Sequence, residues 1–97
     1  MSEPTKPIVL LVDDELILHE MLLRMLENDF SLLNAYSVDE ALAIFEHQTP
    51  DIVCTDLMMP KRSGLDLIAE LKSDPDKQHI PIVVISATGH EHRLRNA

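Results

Sequence analysis

The sequence has little of several residue types, and each shortage excludes a kind of protein. Its 97 residues include 1 cysteine, 2 glycines and no tryptophan. The single cysteine, Cys54, cannot form an internal disulfide, and no paired Cys or Cys/His spacing indicates structural zinc. No glycine-rich phosphate loop is present either. Unpaired cysteine is typical of a reducing compartment, so we predict a cytoplasmic protein.

Basic residues and long apolar runs are also scarce. Only 8 Lys and Arg stand against 17 Asp and Glu, which makes the formal net charge -9. Binding to nucleic acid or to an anionic membrane surface needs clustered basic side chains, and here they are scattered. No apolar run is longer than 5 residues, which is far too short to span a bilayer or to form a signal-peptide core. We therefore expect no nucleic acid or membrane partner.

The apolar residues that are present, 45% of the chain, suffice for the core of one small domain. Three short runs of branched apolar residues lack polar alternation, which is typical of strands buried on both faces of a parallel sheet. These runs are Ile8–Val12, Ile52–Cys54 and Ile82–Ile85. The shorter, partly alternating segment Leu32–Tyr36 predicts a further strand nearer the edge of the sheet.

Helical patterns fill the intervals between the strands. Leu16–Leu26 is rich in Leu and Met, and Leu65–Lys72 predicts the last of three helices. The middle helix begins after Ser37, which forms the capping-box pattern with Glu40. The order β-α-β-α-β-α-β predicts an α/β fold, a doubly wound parallel sheet with helices on both faces.

Acidic residues follow two of the predicted strands at the edge where such sheets bind ligands. Asp13 and Asp14 follow the first strand, and Asp56 follows the third. Carboxylates held together repel one another unless a proton or a cation joins them. Mg²⁺ binds carboxylates and leaves positions open for phosphate oxygens, and beside it a carboxylate such as Asp56 can attack phosphorus. Ser86, after the fourth strand, could donate a hydrogen bond to a phosphoryl group.

Plainer interpretations also exist for some of these residues. Acidic residues are common at helix N-termini, and this preference is enough to explain Glu15. Because Asp56 recurs at a second strand end, the same explanation is weaker for Asp13 and Asp14. His19 beside Glu20 is superficially similar to a kinase phosphoacceptor histidine, but the rest of that motif is missing, so we predict a surface or boundary position.

Taken together, these segments resemble the receiver domain of two-component response regulators. Ile8–Val12 and the acidic residues after it are similar to the family's first strand and acidic pair. Residues 52–60, with Gly64 beyond, are similar to its phosphoacceptor strand and loop. Ile82–Ile85, followed by Ser86-Ala87, is similar to its switch strand. The resemblance covers residues 8–97, and residues 1–7 are predicted to be an N-terminal tail.

The resemblance implies a phosphoacceptor and a set of metal ligands. Asp56 would receive a phosphoryl group from a sensor histidine kinase or a phosphotransfer protein. Asp14 would bind Mg²⁺ directly and Asp13 would support it, with Asp56 and the backbone carbonyl of Met58 as further ligands. Such a domain switches an output and is not a turnover enzyme.

The resemblance also implies roles for residues around the phosphoacceptor. Ser86 would be the switch hydroxyl, and the small side chain of Ala87 would leave room for the phosphoryl group. Pro60 and Gly64 would shape the loop after the third strand.

One part of the family pattern has no counterpart in this sequence. The family carries a lysine and a switch aromatic on a fifth strand, but no lysine follows Lys77. The resemblance therefore implies a flavodoxin-like strand order 2-1-3-4, with strand 5 and helix 5 missing and the domain incomplete at its C-terminus.

Two other functions share part of this sequence pattern. A receiver-like interaction domain could act without phosphorylation, by dimerisation or domain swapping through the exposed outer edge of the fourth strand. A phosphatase of the haloacid dehalogenase type needs Asp-x-Asp at one strand end, but Asp56 is followed by Leu57-Met58. The interaction domain stays open as the alternative, and the phosphatase is not predicted.

Overall fold

The chain folds as an alternation of strands and helices, seen in a computed structural model that describes residues 5–85. The elements in chain order are β1 (Ile8–Val12), α1 (Leu16–Leu26), β2 (Ser31–Ala35), α2 (Val38–Phe45), β3 (Ile52–Asp56), α3 (Gly64–Ser73) and β4 (Ile82–Ile85). The four strands form one parallel sheet in the order β2-β1-β3-β4. The predicted α/β fold and strand order are confirmed.

The register of the sheet brings the ends of its strands to one edge. Val12, the last residue of β1, lies between Ala35 of β2 and Thr55 of β3. Asp56, the last residue of β3, pairs with Ile85 of β4. Because all strands run in the same direction, the residues that follow them emerge at the same edge.

The core lies between one face of the sheet and the helices α2 and α3. Its buried members alternate along the strands and recur at helical spacing: Leu10, Val12, Ala35, Val38, Ala41, Val53, Leu67, Leu71 and Ile80. Val9 and Leu11 point to the opposite face and are also buried. Right-handed crossovers place α1 on that second face, because the chain moves one way along the sheet for α1 and the other way for α2 and α3.

Some element boundaries differ from the prediction. β2 begins at Ser31, one residue earlier than predicted, because Ser31 pairs with Ile8 and its N–H donates to the Pro7 oxygen at 2.9 Å. At the start of α2, Ser37 Oγ accepts the Glu40 N–H at 3.1 Å. The Glu40 carboxylate, however, accepts the N–H of Tyr36, not that of Ser37.

Within residues 5–85, no helix combines the length and apolar character needed to cross a membrane. In the same range β4 pairs with β3 alone, and Val83 is exposed beside it. Dimerisation or swapping through the outer edge of β4 stays a prediction.

Candidate functional site

Three carboxylates meet at the edge where the strands end. Each of Asp13, Asp14 and Asp56 places an oxygen within 4.8 Å of the others. Asp13 is 0% exposed and Asp56 is 4% exposed, whereas Asp14 is open to solvent. The parallel register of β1 and β3 brings them together, as the sequence predicted.

Asp13 is held through its backbone and through one carboxylate oxygen. Its N–H donates to the oxygen of Ala35 at 3.0 Å, and its Oδ1 accepts the N–H of Glu15 at 2.7 Å. Its Oδ2 is buried and has no hydrogen-bond partner among the described residues. Burial raises the pKa of Asp13, and the charges of Asp56 and Asp14 act in the same direction against the Glu15 hydrogen bond.

Asp56 is fixed at the end of β3 by its neighbours. Its Oδ1 accepts the N–H of Met58 at 3.2 Å, and its backbone oxygen accepts the hydroxyl of Thr55 at 2.9 Å. Gly64, the first residue of α3, packs directly against this strand end, because its N–H donates to the oxygen of Leu57 at 3.1 Å. The phosphoacceptor predicted from the sequence therefore has little freedom to move.

The loop between β3 and α3 contains a strained turn. Pro60 supplies the carbonyl that accepts the N–H of Arg62 at 2.8 Å, and Lys61 between them has a φ of 70°. This is a γ-turn, which a residue with a side chain rarely adopts. Met58 carries an exposed side chain at the start of the loop. Its predicted role as a metal ligand involves only its backbone carbonyl.

The donor set fits a hard divalent cation such as Mg²⁺. Such ions prefer oxygen ligands, and all three clustered side chains are carboxylates. Burying a carboxylate oxygen without a hydrogen-bond donor costs free energy. Oδ2 of Asp13 is buried and finds no donor among the described residues. A cation there would compensate both the repulsion between the carboxylates and the burial of Oδ2.

His19 belongs to the surroundings of the site, and its prediction as a surface or boundary residue is wrong. It is 3% exposed, and its Nε2 lies 2.7 Å from the backbone oxygen of Asp13. The signal available in the sequence is spacing, since Leu22 and Leu26 follow His19 at three and seven residues on the inner face of α1. Buried in this way, His19 is unsuited to accept a phosphoryl group from another protein.

Cys54 of β3 is half-buried, and burial raises the pKa of its thiol, which favours an unreactive side chain. Ser86 and Ala87 lie outside the described residues, so their predicted roles stay predictions. Ile85, the residue before them, pairs with Asp56 at the edge of the sheet.

Comparison with known families agrees with this geometry. The family model described as response regulator receiver domain matches residues 9–97. The chain belongs to the response regulator receiver domain family. The acidic cluster and the β2-β1-β3-β4 sheet are thus parts of a receiver domain.

Curated relatives and solved structures support the assignment. The phosphate regulon transcriptional regulatory protein PhoB of Pseudomonas aeruginosa is 36% identical over 84 residues, which are 86% of this chain and 37% of that protein. Hybrid signal transduction histidine kinase D of Dictyostelium discoideum is 32% identical over 87 residues, 90% of this chain and 6% of the kinase. The receiver domain therefore spans less than two thirds of either relative.

The sheet and helices are also similar to those of a solved structure, the phosphorylated cyanobacterial phytochrome response regulator RcpA. The match has a TM-score of 0.80 and 28% sequence identity, and it covers 91% of this chain and 70% of that one.

Proposed function

We propose that this receiver domain accepts a phosphoryl group on Asp56 from a sensor histidine kinase or a phosphotransfer protein, with Mg²⁺ as cofactor. The metal ligands are Asp13, Asp14, Asp56 and the backbone carbonyl of Met58. The observation that carries the proposal is the meeting of three carboxylates, together with the buried Oδ2 of Asp13, which has no partner among the described residues. When bound, Mg²⁺ offsets the negative charge of these groups and of the incoming phosphoryl group.

The proposed transfer is a nucleophilic displacement at phosphorus. An oxygen of the Asp56 carboxylate forms a bond to phosphorus while the bond between phosphorus and the donor imidazole nitrogen breaks. That nitrogen keeps the electron pair of the broken bond, and the donor histidine leaves as neutral imidazole after taking up a proton. The product on Asp56 is an acyl phosphate.

The residues around Asp56 prepare it for this reaction. The N–H of Met58 holds Oδ1 at 3.2 Å, which favours Oδ2 as the attacking oxygen. Thr55 is buried and bonds the backbone of Asp56, so the carboxylate is held by the sheet and not by a mobile loop. Ser86 would donate to a phosphoryl oxygen, and Ala87 would leave space for the group, because β4 leads towards Asp56.

The domain acts in this proposal as a cytoplasmic switch and not as a turnover enzyme. Its own residues catalyse one transfer to Asp56, and the phosphorylated state then changes an output. The names of the relatives, a transcriptional regulatory protein and a hybrid histidine kinase, support a place in two-component signalling.

The test is labelling with acetyl phosphate and Mg²⁺. Intact-mass measurement is expected to show one added phosphoryl group on the wild type and none on Asp56→Asn or in the presence of a chelator. Glu46→Gln, which changes an exposed acid at the end of α2, is the matched control and should label like the wild type.

Labelling that persists in Asp56→Asn would contradict the assignment of the phosphoacceptor. A wild type that never labels would favour the alternative, an interaction domain that acts without phosphorylation.

A further inference from the structure

His19 makes a hydrogen bond to the peptide group that joins Asp13 and Asp14, the two acidic residues after β1. Its Nε2 lies 2.7 Å from the carbonyl oxygen of Asp13. A carbonyl oxygen can only accept, so Nε2 carries the proton and donates it. The bond is buried, and it joins the first turn of α1 to the residue that follows β1.

The imidazole ring is itself held in one orientation. Asn34 of β2 places its Oδ1 2.7 Å from the ring's Nδ1. The ring of Tyr36 lies against it, with 4.2 Å between the ring centroids. An amide can present its oxygen or its NH₂ group, so Asn34 satisfies Nδ1 whether or not Nδ1 carries a proton. His19 is thus a rigid support for the Asp13 carbonyl.

The hydrogen bond from His19 affects how the carboxylates of Asp13 and Asp14 are oriented relative to each other. The carbonyl of Asp13 and the N–H of Asp14 belong to one planar peptide group, so fixing the carbonyl fixes the direction in which Asp14 leaves Asp13. On its other side, Asp13 is fixed by its N–H donation to Ala35 at 3.0 Å. With Oδ1 held by Glu15, only Oδ2 of Asp13 is left without a partner among the described residues.

We propose that His19 is a positioning residue for the cation site: through the Asp13 carbonyl it sets the relative orientation of the Asp13 and Asp14 carboxylates. It touches neither the cation nor the reacting atoms. The inference rests on the proposed function, because it assigns His19 a role towards the same Mg²⁺ site. Outer hydrogen-bond partners of metal ligands act in this way by limiting the orientations that the ligands adopt.

The test compares two variants of the full 97-residue chain. His19→Leu introduces an apolar side chain of similar size and removes the donor, whereas His19→Gln keeps an N–H donor. Calorimetric titration with Mg²⁺ is expected to show roughly tenfold weaker binding for His19→Leu and nearly wild-type binding for His19→Gln. The metal-free readout is the ¹⁵N chemical shift of the Asp14 amide, which should change in His19→Leu and return towards the wild-type value in His19→Gln.

Leu22→Ala is the matched control. Leu22 lies on the same inner face of α1 and is half-buried, so this variant loosens the packing of the helix without removing the His19 bond. If Leu22→Ala weakens Mg²⁺ binding as much as His19→Leu at an equal loss of thermal stability, His19 is merely structural and the proposal is overturned. Unchanged Mg²⁺ affinity in His19→Leu overturns it as well.

Two outcomes separate this inference from the proposed function. A wild type that binds no Mg²⁺ contradicts the proposed function and removes the inference with it, whereas wild-type binding with unaffected variants contradicts the inference alone. If His19→Leu does not fold, His19→Met replaces it, because an unbranched apolar side chain also removes the donor to the Asp13 carbonyl. Unchanged Mg²⁺ affinity in His19→Met then overturns the proposal.

Discussion

A Cβ atom on Gly64 would lie 2.2 Å from the backbone oxygen of Asp56. Only glycine permits this approach, which brings the first residue of α3 against the last residue of β3. The same contact places the Gly64 N–H 3.1 Å from the oxygen of Leu57. The lack of a side chain at Gly64 therefore allows two backbones to meet at this point.

Gly64→Ala is expected to lower the free energy of unfolding by about 2 kcal/mol, because the new methyl group meets backbone and forces α3 or the strand end to shift. Urea unfolding followed by circular dichroism measures this change. Leu65→Ala at the next position, where the side chain is 61% exposed, should stay within about 0.5 kcal/mol of the wild type. Equal stability of Gly64→Ala and the wild type would show that the contact yields easily.

The metal-free domain is expected to lose stability as the pH rises through the titration of Asp13. The pKa of Asp13 in the folded protein lies above its ordinary value of 3.8, so the folded state holds this proton more tightly than the unfolded state. The resulting stability is complete below pH 3.8 and disappears as the pH rises through the higher, folded-state pKa.

Asp13→Asn tests this pH dependence, because it removes the buried charge. With a chelator present, it should unfold at higher urea concentration than the wild type at neutral pH, and the difference should vanish in acid. Glu46→Gln, which changes an exposed acid, should follow the wild-type pH profile. A metal-free Asp13→Asn variant that is less stable than the wild type at neutral pH would contradict the argument.

Metal-free Asp13→Asn is expected to be more stable than the wild type at neutral pH, and addition of Mg²⁺ is expected to make the wild type the more stable of the two. Binding to the folded state alone at a hundredfold excess over Kd adds about 2.7 kcal/mol to the free energy of unfolding. The wild type should gain this increment, whereas Asp13→Asn and Asp14→Asn should lose most of it, because each removes a carboxylate of the cluster. Thermal midpoints with and without Mg²⁺ measure the gain, and an equal gain in all three proteins would place the metal elsewhere.

Ser37→Ala is expected to cost about 1 kcal/mol of stability, because it leaves the Glu40 N–H at the start of α2 without its partner. Ser37→Asp keeps an acceptor at the same position and should retain most of the wild-type stability. Chemical unfolding distinguishes the two variants. If alanine and aspartate behave alike there, the cap does not stabilise the helix.

Much of the fold was predictable because it depends on local patterns. The branched run Ile8–Val12 is a strand in any context that buries both of its faces, and the order of such runs and helices restricts the sheet to few topologies. Boundaries were less predictable where pairing decides them. Ser31 is exposed and polar, yet it begins β2 because β1 offers it a partner in Ile8.

The positions of the clustered carboxylates could be predicted from the sequence, whereas the hydrogen bonds that hold them in place could not. The position of Asp56, one residue beyond the apolar run Ile52–Cys54, indicates the edge of the sheet. The hydrogen bonds of His19, which holds the Asp13 carbonyl, were not predictable, because the partners of its ring come from other parts of the chain. Asn34 lies 15 residues from His19 in the sequence, and Asp13 lies 6 residues before it.

The sequence by itself determined the order of the elements, the buried runs and the placement of carboxylates after strands, because each of these depends on residues close together in the chain. Only the tertiary structure decided that Asp13, Asp14 and Asp56 lie within 4.8 Å, and that Gly64 meets the Asp56 carbonyl. Those relationships depend on strand register and on packing between elements distant in sequence, where shifts of an ångström decide whether two groups touch.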